Sequence, residues 1–168
     1  IFFVPWCIVA AILSFTLLRD VPIKANIRQQ LDIFSNANTW YMTVLYVMTF
    51  GLFSGLSAVF GLLINDNYGA ESPLKLAVTG ASFAFLGPLI GSVVRMAWGP
   101  FCDKMGGAIW TFISGVGMAV TLAIAGFYLS NPHGMSDFYG FLIAMLVMFF
   151  FAGLGNAGTF KQMPMIMP

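Results

Sequence analysis

Long stretches of this chain carry no charge. Asp, Glu, Lys and Arg are all missing from residues 1–18, 33–65, 76–94, 105–136 and 138–160. A helix needs roughly 20 apolar residues to cross a hydrocarbon core of about 30 Å, so each interval can hold one span, the first near the lower limit. The spacing predicts five helices, at 1–18, 39–65, 74–101, 108–130 and 138–162. Membrane β-barrel strands would instead show alternating segments of about ten residues. The expected fold class is therefore all-α, a polytopic membrane helix bundle. Ile1–Leu18 is read as a span and not as a signal peptide, because it lacks a basic start and a small-residue cleavage site.

Composition closes the other routes. Only 8% of the 168 residues are charged, against about 25% in a soluble domain, too few to wet a globule of this size. Disordered chains are poor in aromatics, whereas 16% of this one is aromatic. A formal net charge of +1 supplies no field for a polyanion, which excludes nucleic acid as a partner. Cys7 and Cys102 lie far apart, without His or Cys at metal-ligand spacing, and read as small apolar fillers. No metal or cofactor is expected. The chain opens inside an apolar run at Ile1 and stops at Pro168 without a polar tail, which suggests a piece of a longer protein.

The connections sort by charge. Residues 19–38 carry Arg19, Lys24 and Arg28, and the link between the third and fourth helices carries Lys104. The alternate links hold Asp66, Glu71, His133 and Asp137 without Lys or Arg, and Lys75 stands just inside the third helix. By the positive-inside rule the first pair is cytoplasmic and the second external. Within 19–38, Ile23, Ile27, Leu31 and Phe34 recur at helical spacing. That segment is either an amphipathic helix on the membrane surface or a plain cytoplasmic linker between two helix groups.

Small residues mark the spans for close contact. Gly51 with Gly55, and Gly87 with Gly91, form small-xxx-small steps that let helix backbones approach in lipid. Arg95 is the exception inside a span. Gly87, Gly91, Arg95 and Gly99 recur at every fourth position, and each step rotates by about 40°, so they share one broad face. An arginine at a helix centre costs about 2.5–3.5 kcal/mol on insertion scales, and such residues usually face a cavity and serve function. The first carboxylate following it on the same helix is Asp103. The favoured reading is anion binding, since the guanidinium fork donates parallel hydrogen bonds to a planar oxyanion and keeps its charge at any working pH. Snorkelling to the headgroups, or a salt bridge to a helix outside this sequence, stays open. In the second helix Tyr46, Phe50 and Ser54 share a stripe, offering a hydroxyl and a ring wall, or simply packing. In the fifth, Gly153, Gly155 and Gly158 bracket Asn156, whose amide suits protein or water better than lipid. Pro164 is expected to kink or end that helix, and Lys161 to snorkel at the cytoplasmic interface.

Several of these segments resemble a known family. Gly99-Pro-Phe-Cys-Asp103-Lys104-Met-Gly106-Gly107 is similar to the G-x-x-x-D-[RK]-x-G-[GR] loop of the major facilitator superfamily. Gly87-Pro-Leu-Ile-Gly-Ser-Val-Val-Arg95 resembles helix eight of its nitrate/nitrite porter family, Leu45-Tyr46-Val-Met-Thr-Phe50-Gly51 helix seven, and Ala152-Gly-Leu-Gly-Asn156-Ala-Gly-Thr-Phe160 helix ten. The resemblance covers nearly the whole chain, as helices six to ten. It implies a multi-pass inner-membrane transporter of nitrate and nitrite, built from two six-helix bundles. Arg95, Tyr46, Phe50 and Asn156 would bind the anion, and Gly99, Asp103, Lys104, Gly106 and Gly107 would form a gating loop. The partners implied are nitrate and nitrite, the lipid bilayer, and the N-terminal bundle and last two helices of the same protein.

Coupling follows from what the spans omit. A proton symporter usually carries its proton on a membrane-embedded Asp, Glu or His, and the five predicted spans place none deep inside. The expected mechanism is alternating access with nitrate/nitrite exchange. Proton-coupled symport, a major facilitator carrier of another small anion, and a non-transport membrane scaffold are the alternatives. An enzyme is not expected, because neither a paired nucleophile and base nor a metal-binding motif occurs.

Overall fold

The computed structural model describes residues 4–17, 31–76, 78–130 and 134–166. Helix makes up nearly all of them, and no strand occurs among the described residues. The chain divides into two units, Ile1–Ser35 and Asn36–Pro168. In the first, α1 (Val4–Leu17) is an apolar helix of 14 residues, and Asp32–Ser35 forms one turn of 3-10 helix. The expected surface segment around Arg19, Ile23, Lys24, Ile27 and Arg28 lies outside the described residues, as does His133.

The second unit contains four helices: α2 (Ala37–Tyr68), α3 (Gly80–Met105), α4 (Gly107–Ser130) and α5 (Met135–Ile166). Each is long and apolar enough to cross a membrane. Asn36 starts α2 as an N-cap, its Oδ1 accepting the Asn38 N–H at 3.0 Å and satisfying a donor the helix cannot. Gly106, with φ of 84°, ends α3 in a backbone region that suits glycine.

Most helix ends fall a few residues beyond expectation, and the start of the third helix moves furthest. The third helix begins at Gly80 and not at 74, because Ser72 and Lys75 close a turn, with Lys75 N–H on Ser72 O at 3.0 Å. Lys75 therefore sits in the connection, at a positive φ of 46°. Within α3 the helix loosens between Phe83 and Leu86. Pro88 explains the site of the break: it has no N–H to offer the carbonyl of Ala84. Pro164 does not end the fifth helix, which runs on to Ile166.

The centre of the bundle is α5. Of its most apolar stretch 61% is buried, against 17% in α2 and α3 and 22% in α4. Phe60 and Ile64 of α2 and Met118 of α4 pack around Phe141, Met145 and Phe149 of α5. Two polar side chains inside bond backbone across helices: Tyr68 Oη donates to the Tyr128 carbonyl at 3.0 Å, and Ser114 Oγ to the Phe151 carbonyl at 2.7 Å. Glycines set the closest approaches. A side chain at Gly87 would strike the Phe149 ring, and one at Gly153 the Gly91 carbonyl, so α3 and α5 meet closely at these glycines. The Gly51/Gly55 step is different. Gly51 meets Val47 of its own helix, and Gly55 has nothing within 4 Å among the described residues. The close contact of α2 with α3 falls at Gly61 and Gly80 instead. There Asn65 Oδ1 accepts the Gly80 N–H at 2.6 Å, serving as a cap supplied by the neighbouring helix.

Candidate functional site

Three helices bring one cation and three rings together. Arg95 projects from α3, and its guanidinium carbon lies 4.6 Å from the centroid of the Phe160 ring on α5. This is within cation–π range. Phe160 in turn meets Tyr46 of α2 edge-on, with centroids 5.6 Å apart and planes at 90°. Tyr46 stacks on Phe50 at 5.2 Å and 14°. The chain of rings continues through Phe53, 6.3 Å from Phe50, to the core ring of Phe149, 5.9 Å from Phe53. The aromatic wall is thus anchored in the core at one end and ends on the arginine at the other.

Local structure shapes that wall. Between Tyr46 and Leu52 the helix widens to a π-turn, Val47–Gly51. Such turns are rare and concentrate at functional sites. Thr49 is buried inside the turn and donates its hydroxyl to the Leu45 carbonyl at 3.0 Å.

Arg95 is only partly buried in this chain, not enclosed as its place in an apolar span suggested, because α5 covers it with one ring. Among the described residues it has no ion pair. Asp103, the carboxylate following it on its helix, is taken by Lys161, whose Nζ lies 2.7 Å and 2.9 Å from the two carboxylate oxygens. Lys161 therefore binds the end of α3 and does not simply reach for headgroups as expected. Asn156 is buried in α5, one turn before Phe160 on the same side of the helix, and its Oδ1 has no partner among the described residues.

The loop residues have separate physical jobs. Gly106 supplies the positive φ, with its N–H on the Cys102 carbonyl at 3.0 Å. Gly107 lets α4 start against α5, since a side chain there would strike the Gly158 carbonyl. Gly99 faces open space, and Lys104 is exposed in the last turn of α3, where its charge suits the helix dipole. Phe160 is the site residue that spacing alone does not single out. Its position one turn beyond Asn156 was the available signal. No cluster of three metal-ligating side chains occurs among the described residues.

These features define an all-α polytopic membrane protein with a cation set against aromatic rings between its helices. Comparison with known proteins narrows the class. A probable nitrate/nitrite antiporter, NarK2 of Thermus thermophilus, is 48% identical over 169 residues, covering 98% of this chain and 36% of that protein. The nitrate/nitrite transporters NarU of Escherichia coli and of Salmonella typhimurium are 32% and 33% identical, each covering 97% of this chain and 34% of their own length. No family model matches. The chain is homologous along nearly its whole length to a segment of the nitrate/nitrite porters, the family its motifs resemble. It spans about a third of the length of these relatives.

Proposed function

We propose that this chain forms part of an inner-membrane carrier that exchanges nitrate for nitrite by alternating access, with Arg95 as an anion-binding group. The observation that carries this reading is the partnering of Arg95: an aromatic ring on one side and no carboxylate among the described residues. A guanidinium held by a ring keeps its N–H donors for another acceptor. Nitrate is flat and has oxygens spaced for the fork, and its face suits a ring wall such as Tyr46 and Phe50. Asn156, buried one turn from Phe160, is a further polar contact for the ion. The relatives named as nitrate/nitrite transporters support the substrate, and the one named as a probable antiporter supports exchange. Binding would neutralise the arginine, lowering the barrier to reorienting the site through the apolar interior. Gly99, Asp103, Lys104, Gly106 and Gly107 act at the cytoplasmic gate in this reading, and the remaining helices of a two-bundle carrier complete the site. In this reading the chain serves a carrier and not an enzyme.

Exchange can be tested with the whole protein carrying this sequence, reconstituted in vesicles. Vesicles loaded with nitrite should take up nitrate without a pH gradient, and vesicles lacking internal nitrite should not. Uptake that requires a proton gradient and ignores internal nitrite would overturn exchange in favour of symport.

A further inference from the structure

Lys161 has no assigned part in the anion site, yet it is the neighbour of Phe160 on α5 and grips the helix that carries Arg95. We propose that Lys161, through its ion pair with Asp103, is a positioning residue that holds Phe160 against Arg95 and thereby sets the affinity for a planar oxyanion. The inference rests on the proposed anion-binding role of Arg95.

The geometry gives the reason. Arg95 and Asp103 belong to one helix, with Pro100 between them, and Phe160 and Lys161 to another. Guanidinium meets ring at 4.6 Å and ammonium meets carboxylate at 2.7 Å, and the Trp98 ring of the first helix packs edge-on against Phe150 of the second at 5.7 Å. Deeper in the bundle the same helices are seated glycine to glycine, Gly91 against Gly153. Beyond that contact α4 also holds α5, with Gly158 against Gly107 and Gln162 Nε2 donating to Thr111 Oγ1 at 3.4 Å, and the ion pair ties this end of α5 to the helix that carries Arg95. Phe160 is 39% exposed with Tyr46 edge-on to it, and the placing of the α5 end decides how its ring meets the guanidinium. A ring beside the guanidinium orients the fork without using any of its N–H groups. Loss of the pair would leave the arginine charged but free to turn, and a mobile fork binds a planar ion less well.

The pair is exposed on both sides, so its effect is modest: an exposed pair of this kind corresponds to about a two- to fivefold change in an equilibrium. The test measures nitrate uptake by the whole protein in vesicles, for wild type, Lys161→Met, Lys161→Arg, Phe160→Leu, and Lys161→Met combined with Phe160→Leu. Lys161 is varied in preference to Asp103, because Asp103 also belongs to the gating loop. Lys161→Met should raise KM by about two- to fivefold with the maximal rate retained, and Lys161→Arg should restore wild-type KM. Phe160→Leu should raise KM by itself, and adding Lys161→Met should raise it no further. A wild-type KM in Lys161→Met overturns the inference, as does an equal rise with and without Phe160, which marks a purely structural role. Wild-type protein that takes up no nitrate overturns the functional reading and this inference with it; transport with unchanged KM in Lys161→Met overturns this inference alone.

Discussion

At the scale of single residues, unpartnered polar atoms separate groups that serve stability from those that do not. Tyr68 and Asn156 are both buried polar side chains, but Tyr68 bonds the Tyr128 carbonyl at 3.0 Å while the Asn156 Oδ1 has no partner among the described residues. A hydrogen bond such as that of Tyr68 contributes about 0.5–1.5 kcal/mol, whereas a buried orphan costs about 1–3 kcal/mol. Tyr68→Phe should therefore lower the thermal unfolding midpoint of the detergent-solubilised protein and leave nitrate KM unchanged. Asn156→Leu should do the reverse, raising the midpoint while weakening nitrate binding. A fall in both for Asn156→Leu would mean that the amide has a structural partner. Phe50 belongs with the site. Its stack on Tyr46 is worth about 0.5–1.5 kcal/mol beyond area burial, so Phe50→Leu should raise nitrate KM severalfold, and an unchanged KM would remove the ring wall from the site.

Between elements, the glycines decide how closely helices meet. At Gly91 an added Cβ would press on the Phe53 ring and the Phe149 carbonyl, whereas at Gly55 it would meet nothing within 4 Å. Gly91→Ala should destabilise the bundle, and Gly55→Ala should be neutral or stabilise by up to about 1 kcal/mol through helix propensity. Thermal unfolding of the two variants of this chain, side by side, checks the contrast. The difference was not legible in the sequence, where both positions belong to the same small-xxx-small pattern. Spacing says that four glycines can face a neighbour; it does not say which neighbour arrives. The same limit hid Gly61 and Gly80, whose contact depends on the turn at Lys75, and Phe160, whose partner is set by the rotation of α5 against α3. Arg95, Tyr46 and Phe50 were legible because their chemistry is out of place in lipid or repeats on one stripe. Asp103 was legible as a loop residue, but its partner Lys161 lies on another helix and could not be paired by spacing.

The whole molecule is organised by where charge is allowed. Four helices of the second unit fall on long apolar stretches; Asp66, Glu71 and Asp137 flank the connections at one end and Lys104 the connection at the other, with Lys75 beside Glu71. Opposite faces of the membrane should therefore hold Glu71 and Lys104. With Cys7→Ser and Cys102→Ala as background, Glu71→Cys should react with an impermeant thiol reagent added outside intact cells, and Lys104→Cys only after the membrane is opened. Labelling of both from outside would break the topology. Across that membrane the account requires one fixed positive charge able to turn from side to side with its anion. Substituting Arg95 by Lys keeps the charge and removes the fork, so nitrate uptake kinetics of Arg95→Lys in the whole protein test this claim most directly. Nitrate KM should rise by about tenfold or more, the equivalent of losing a charge-assisted hydrogen bond; uptake indistinguishable from wild type would contradict the anion-binding role of Arg95.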